Sequence, residues 1–493
     1  MAGTGCIVQI NEDVKNMEGL STEKDHWIVQ INEDLKNMEG LSTEKDHWNK
    51  GSIYKLPASL TDTNKKAYKP QTVSFGPYHY DPSHPMEAHK HRALLHFLKR
   101  CGKSVELFVD ALAEVENDLK DSYTLLHSVP KEVTDIFLQM MILDGCFMLE
   151  IMRTAAHVLD DYAPNDPIFS DHGRVHVVPF IKRDMLMLEN QLPMLVLEKL
   201  VAVEHDKAKD AGFVTKLIVK FLFSRNVSVN MGKCVHVLDL YRKSLLQHEP
   251  DPKYIRHKIR SMEQEEEIIW SATELNEAGI RFKKSATTSL KDITFARGLL
   301  RLPVVVVDDT TESLFLNLMA FERFHVGAGN EVTSYLLFMD NIIDNARDVA
   351  LLHSKGIILN GLGSDKAVAN LFNSLSKDVI QDPDSSLQIV HKRVYHYCKK
   401  PWNEWRANLI HTYFRNPWAI ISFIAAVFLF VFTIGQTGYS IYPYYYPRGD
   451  SSPSEVIVVP VPPPPHHSSS DSTSPSALVI SFVLASIVCM FTN

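Results

Sequence analysis

Apolar positions recur along most of the chain at spacings of three and four, the period of an α-helix packed on one face. Met86–Leu98 reads MEAHKHRALLHFL, with Leu94, Leu95 and Leu98 on the apolar side, and Val105–Leu126 continues helically. Pro130 opens a longer helix, Lys131–Leu159, whose Ile136, Phe137, Met140, Leu143 and Phe147 predict one buried face. Val175–Val178 reads as a short strand. Ile181–Val203 is expected to be helical with a break or restart at Pro193. Lys253–Gln264 is an expected exposed helix. LKDITFARGLLRLPVVVVDD, within Thr287–Asp308 and Asp309, is rich in β-branched residues and predicts two short strands around a turn. Helices are again expected over Thr311–His325, Glu331–Leu352 and Asp365–Leu375, with a last long helix from about Asp384 running into the apolar segment described next.

Asn416–Tyr446 carries no charge, and Pro417–Ile434 reads PWAIISFIAAVFLFVFTI. A helix of that length spans about 27 Å, close to the hydrocarbon thickness of a bilayer. A buried core helix is the alternative, but core helices seldom stay uncharged for so long. Trp418 at one end and Tyr439–Tyr446 at the other fit interfacial anchors. Lys399, Lys400, Arg406 and Arg415 precede the span and only Arg448 follows closely. The positive-inside rule therefore places the N-terminal bulk in the cytosol of a single-pass membrane protein, with the plasma membrane the expected one.

These patterns divide the chain into five parts. Residues 1–47 are a duplicated, irregular N-terminal segment, because Ile7–Trp27 recurs as Ile28–Trp48 with only Val14 exchanged for Leu35. Residues 48–408 form a mainly helical globular body, and 409–446 the membrane-proximal and transmembrane helix. Residues 447–476 are a Pro/Ser-rich disordered linker that includes Pro462–Pro465. Residues 477–493 are a short apolar tail, read as a second membrane-inserted segment, with a lipid-anchor attachment signal as the alternative. The fold class is mainly α: a multi-helix body with a small β-hairpin element and a C-terminal transmembrane helix.

Composition narrows the function. Of 493 residues, 45% are hydrophobic and 22% charged, which fits a folded protein and excludes wholesale disorder. The net charge of −8 gives no basic excess, so no nucleic-acid partner is expected. The cysteines at 6, 101, 146, 234, 398 and 489 share no CxxC spacing, so neither a zinc site nor a redox motif is expected. The N-terminus lacks the basic and apolar regions of a signal peptide.

Six ordered blocks carry a resemblance. They are VSFGPYHYDPSHPMEAHKHRAL (Val73–Leu94), MILDGCFMLE (Met141–Glu150), RDMLMLENQLPMLVLEKL (Arg183–Leu200), LPVVVVDDTTESLFLNLMAFE (Leu302–Glu322), YLLFMDNIIDNARDVALLHSKGIILNGLGSD (Tyr335–Asp365) and FRNPWAIISFIAA before QTGYS (Phe414–Ser440). Through them the chain resembles a plant family, domain of unknown function 247, also called UPF0481. The matching motif positions are Gly76, Pro77, Tyr78, His79, Met86, Glu87, His89, Lys90, Asp144, Gly145, Cys146, Phe147, Asp184, Glu189, Asn190, Gln191, Pro193, Asn317, Glu322, Asp340 and Asp348. The resemblance implies a mostly helical plant protein with a C-terminal membrane helix, and supplies no reaction. Members in grasses are implicated in self-incompatibility, which implies recognition of a peptide or protein ligand as an alternative function. The N-terminal duplication and the tail after Tyr446 depart from the family pattern, and the loop between Tyr78 and Met86 is shorter.

The chemistry of individual residues weighs against catalysis. His79, Asp81, His84, Glu87, His89 and His91 are metal-ligand types, but no HExxH occurs, and His89 and His91 point apart on a helix. The structural reading has His79 at a turn and His89 paired with a carboxylate. Asp144, Asp184 and Glu189 among apolar residues could do acid–base work, as a carboxylate enzyme would require. The structural reading makes them a polar network that sets helix registry, with Arg183 or Lys182 as partner and Asn190 and Gln191 satisfying backbone groups. Asp308 and Asp309 before Thr310 and Thr311 read as a helix N-terminus, with a divalent metal there as the alternative. GIILNGLGSD (Gly356–Asp365) lacks the spacing of a phosphate loop and reads as turns before a helix capped by Ser364 or Asp365. No catalytic residue, cofactor or metal is therefore expected. The expected partners are membrane lipid through the C-terminal helix, which Pro417, Trp418 and Ile434 mark, and a protein or peptide.

Overall fold

The computed structural model describes residues 51–124, 131–159, 161–205, 212–223, 231–247, 270–377, 379, 387–413 and 417–445. The N-terminal duplication, the expected helix at Lys253–Gln264, the Pro/Ser-rich linker and the apolar tail lie outside the described residues. The chain divides into a body that ends at Asn403 and a C-terminal unit from Glu404.

In the first half of the body, short helices α1 (Ala58–Thr61) and α2 (Lys65–Tyr68) precede α3 (Met86–Cys101), α4 (Val105–Ala113) and α5 (Glu116–Asp121). The central helix is α6 (Lys131–Ala155), which packs against α3, α4, α9 (Met194–His205) and α10 (Phe213–Leu222). With neighbours on so many sides, its second half is buried nearly all round: Met141, Cys146, Phe147, Leu149, Ile151 and Met152 are all inaccessible. Such a helix has no single apolar stripe. Ile136, placed on the buried face by spacing, is instead half exposed. Gly145 lets α6 and α9 cross closely, because a Cβ there would lie 2.5 Å from Leu200 Cδ1.

One sequence expectation fails just beyond α6. Val175–Val178 is no strand: α7 (Asp171–His176) and α8 (Val178–Asp184) occupy that stretch. Ser170 caps α7 by accepting from the Gly173 N–H, and Pro179 sits in the first turn of α8, so the capping signals outweigh the β-branched residues. The expected break in Ile181–Val203 is present and wider than Pro193 alone: α8 ends at Asp184 and the next helix begins at Met194. Asn190 Nδ2 takes the Asp184 carbonyl, and Gln191 Nε2 takes those of Met185 and Met187. These side chains capture carbonyls that a continuing helix would use, and the helix restarts only after Pro193.

The second half holds α11 (Val237–Leu245), α12 (Ala272–Glu277), α13 (Thr311–Phe324), α14 (Glu331–Ile342), α15 (Ala346–Ser354), α16 (Asp365–Leu375) and α17 (Gln388–Cys398). The expected Glu331–Leu352 helix is split. Asn345 and Asp348 form a capping box that starts α15 afresh. Strands β1 (Arg281–Lys284), β2 (Thr294–Ala296) and β3 (Leu299–Leu302) form a sheet in the order β1-β3-β2. The β2–β3 hairpin turns on Arg297 and Gly298, both with positive φ (51° and 73°), as a tight two-residue turn requires. Strand β4 (Val305–Val307) pairs in parallel with β5 (Ile358–Asn360). The β content therefore includes two parallel pairings beyond the expected hairpin. Runs of β-branched residues do not reveal such non-local partners.

The expected continuous helix from Asp384 is also broken. Helix α17 ends at Cys398, and α18 (Pro401–Tyr413) begins at a proline. The Asn403 side chain donates to the Tyr397 carbonyl across the break. Last comes α19 (Pro417–Tyr445), 29 residues long. Its Trp418–Tyr442 stretch has a mean hydropathy of 2.4 over its most apolar window, none of it buried. Thr433 and Thr437 return their hydroxyls to the carbonyls of Leu429 and Thr433, so both hydroxyls are bonded within the helix.

Candidate functional site: a side-chain cradle around an extended segment

The motif residues converge on residues 71–79, which join α2 to α3. Residues 73–75 lack regular secondary structure, and Val73 and Phe75 are buried, so the backbone polar groups here need partners away from water. Side chains supply them. Asp184 Oδ2 accepts from the N–H groups of Gln71, Thr72 and Val73 at 3.1, 2.6 and 3.1 Å. Asn190 accepts from Phe75 N at 2.7 Å and donates to Val73 O at 3.0 Å, imitating the neighbouring strand of a sheet. Lys90 Nζ donates to Ser74 O at 2.6 Å, and Asp144 Oδ2 accepts from Gly76 N at 2.8 Å.

Lys90 and Asp144 form the most deeply buried pair. The ammonium is inaccessible, lies 2.7 Å from Asp144 Oδ1 and 2.6 Å from Glu87 Oε1, and is within 5.7 Å of the Phe75 ring centroid. Burial disfavours the Lys90 charge, but Asp144 and Glu87 outweigh it and push its pKa up. Burial also pushes the Asp144 carboxyl up, against the pull of Lys90 and Gly76 N–H. The ionised pair is the form that the three short contacts of the ammonium support.

Glu189 ties the far end of the segment, at His79, to the earlier Lys55–Leu56 stretch. It accepts from Leu56 N at 2.7 Å and pairs with Lys55 and His79 at 2.7 and 2.8 Å. Burial opposes its charge, yet these donors hold its carboxyl below the usual range. Pro77, Tyr78 and His79 form a single 3₁₀ turn after Gly76, whose φ of 68° and ψ of −173° only glycine adopts readily. A Cβ on Gly76 would also lie 2.7 Å from Tyr123 Oη.

The hub extends into the second half. Gln191 Oε1 accepts from Leu238 N, and Tyr123 Oη donates to Gln191 O. Asn317 accepts from Leu188 N and donates to Ala67 O. Farther out, Glu322 accepts from Val332 N and Thr333 N at the start of α14 and pairs with Arg242. Asp348 accepts from Asp344 N, Asn345 N and Thr273 N, joining α15 to α12. Burial raises the pKa of Asp340. Cys146 and Phe147 are inaccessible, with the thiol pushed up by burial, and Met86 is buried at the start of α3.

The histidine-rich stretch does not gather into a site. Asp81 accepts from Ser83, His84 Nδ1 accepts from Met86 N, and His89 contacts Arg92, not a carboxylate. Arg92 itself pairs with Asp166. Asp308 accepts from Thr310 N, and Thr311 Oγ1 accepts from Asp308 N, an interlocked start to α13. Ser364 accepts from Ala367 N and caps α16. Among the described residues, no group of three His, Cys, Asp or Glu side chains is placed to hold a metal. Sequence reasoning missed Lys55, Tyr123, His236 and Arg242. None stands in a spacing motif, because Lys55 meets Glu189 134 positions away and Arg242 meets Glu322 80 positions away, while Tyr123 and His236 meet the backbone carbonyls of Gln191 and Ser52.

Comparison with known proteins places the chain in a family. A family model described as "Plant protein of unknown function" (DUF247) matches residues 53–432. UPF0481 protein At3g47200 of Arabidopsis thaliana is 33% identical over 420 residues, 80% of this chain and 86% of that relative. Putative UPF0481 protein At3g02645 of the same plant is 22% identical over 480 residues, 77% of this chain and 88% of the relative. No solved structure matches the chain. The match from Ile53 to Phe432 takes in the cradled segment, both halves of the hub and the start of the apolar helix, and the chain belongs to the plant DUF247/UPF0481 family.

Proposed function

We propose that the protein is a membrane-anchored, non-enzymatic interaction module. Helix α19 holds the body at the cytosolic face of a membrane, the plasma membrane above others. The observation that carries this reading is the exposed, uncharged Trp418–Tyr442 helix, long enough to cross a bilayer. The non-enzymatic part rests on the motif carboxylates. Asp144, Asp184 and Glu189 are turned toward backbone N–H groups and cations of the same chain, and their hydrogen bonds organise residues 71–79. A carboxylate so engaged is not poised to transfer a proton to a bound substrate. Tethering raises the local concentration of the body near its partner, so weak protein contacts suffice.

The test compares the full chain with a chain ending at Arg415, both expressed in plant cells. The full chain should resist alkaline extraction from membranes, and the shortened chain should be released. Retention of the shortened chain after the alkaline wash would refute the anchor.

A further inference from the structure

The exposed face of the three-stranded sheet is cationic. Partners across the ladder share a face, so the pairing Arg281↔Leu299 and Lys283↔Arg301 puts Arg281, Lys283 and Arg301 on one side. Phe282, Leu300, Leu302 and Phe295 turn inward and are buried. Strands β1, β2 and β3 contain no acidic residue. No described residue forms an ion pair with Arg281, Lys283, Arg301 or Lys355, whereas most basic groups of the hub have a carboxylate partner.

Three of these cations border a cavity of about 350 Å³, lined by Asn276, Arg281, Phe282, Lys283, Leu299 and Lys355. Its size is that of a small-ligand site. Its polar lining is rich in donors: a guanidinium, two ammonium groups and a carboxamide. Cations that line one cavity repel one another, and an anion with several acceptor oxygens relieves that repulsion. A phosphorylated group has that chemistry.

The place of the sheet in the body favours a lipid as the source. Phe295 packs edge-on against Tyr397 of α17 at 5.5 Å. Gly298 lets the same tyrosine approach, since a Cβ there would lie 2.6 Å from its hydroxyl. Lys399 and Lys400, stacked on Tyr395 and Tyr397, follow at once. From Cys398 the chain reaches the apolar helix at Pro417 after α18 and two short connections. Even fully extended, that stretch spans only about 65 Å, so α17, which the sheet contacts, is tethered by a short length of chain to any bilayer that α19 enters.

We propose that the Arg281–Lys283–Arg301 face and its cavity bind the phosphorylated headgroup of an anionic membrane lipid. The inference rests on the membrane reading of α19, but its test does not need that helix to insert. Full-length protein in neutral detergent micelles is titrated with dioctanoyl phosphatidylinositol phosphate and with dioctanoyl phosphatidylcholine. The phosphorylated lipid should bind and the zwitterionic one should not. The exposed pair Arg281→Gln/Lys283→Gln should weaken binding by about ten-fold or more, while Lys65→Gln, on another surface, should leave it unchanged. Far-ultraviolet circular dichroism checks that the variants fold, and Lys283→Arg should retain binding. Equal affinity of the wild-type and double-variant proteins would overturn the proposal, as would absence of binding. Equal affinity for inositol phosphate or inorganic phosphate would overturn the lipid assignment in favour of a soluble phosphorylated ligand. Binding of an acidic peptide in competition-free excess over the lipid would do so in favour of a protein partner.

Discussion

The Lys90 ammonium and the Asp144 carboxylate meet at 2.7 Å with almost no access to water, and both also hold the backbone of residues 74–76. Removing one partner leaves a buried, uncompensated charge. Lys90→Met should therefore destabilise the body by about 3–5 kcal/mol, measured by chemical denaturation of the full chain in micelles. Lys90→Met combined with Asp144→Leu should cost much less than the sum of the single changes. Additive costs would show that the two groups act independently.

Asp184 makes a second, separable prediction. Its Oδ2 collects three consecutive N–H groups while Arg183 Nη2 sits 2.9 Å from Oδ1. Asp184→Ala strands those donors and should cost about 2–4 kcal/mol. Asp184→Asn keeps a carbonyl acceptor and should cost less. Hydrogen exchange should report the loss at Gln71–Val73 first, since those amides lose their acceptor directly.

Gly76→Ala should be among the most damaging small substitutions. It adds strain at φ 68° and ψ −173° and sets a methyl against Tyr123. A loss of about 3 kcal/mol or more is expected, because the backbone region alone costs 1–3 kcal/mol. Tyr123→Phe in the same background should recover part of it by removing the clashing hydroxyl. No recovery would place the whole cost in the backbone.

Acid should weaken the fold before the carboxylates titrate. Burial lowers the pKa of His236 to about 4 and that of His391 to about 4. Unfolded histidines titrate near 6.5, so below that value the unfolded state binds more protons. The contribution is complete above about pH 6.5 and is lost as pH falls toward 4, by up to about 3 kcal/mol for each group. Neutral His236 is also structural: Nδ1 accepts from Asp239 N, while Nε2 meets Ser52 O. Denaturation midpoints at pH 7, 6 and 5 should decline steadily, and His391→Leu should flatten the slope. A stability independent of pH over that range would contradict this assignment.

Much of the architecture is legible in the chain because it is local. Periodicity finds α3, α6, α13 and α16, and Asp365–Leu375 has the expected bounds. The uncharged run at Pro417–Ile434 announces a helix that in fact continues to Tyr445. The failures are places where distant groups override local preference. Asn190 and Gln191 stop a helix by reaching back for its carbonyls, and β5 becomes a strand only beside β4. Asp144, Asp184 and Glu189 were visible as acids among apolar residues, but their shared target was not. Gly76, Pro77, Tyr78 and His79 stand out as motif positions in the sequence, but only the fold reveals that the other motif side chains enclose their segment.

The most direct test of the account is protease protection of microsomes that carry the full chain with an epitope at its N-terminus. With the body on the cytosolic side, as proposed, added protease should remove the epitope and the body without detergent. Survival of the epitope-bearing body until detergent is added would contradict it and place the body across the membrane from the cytosol.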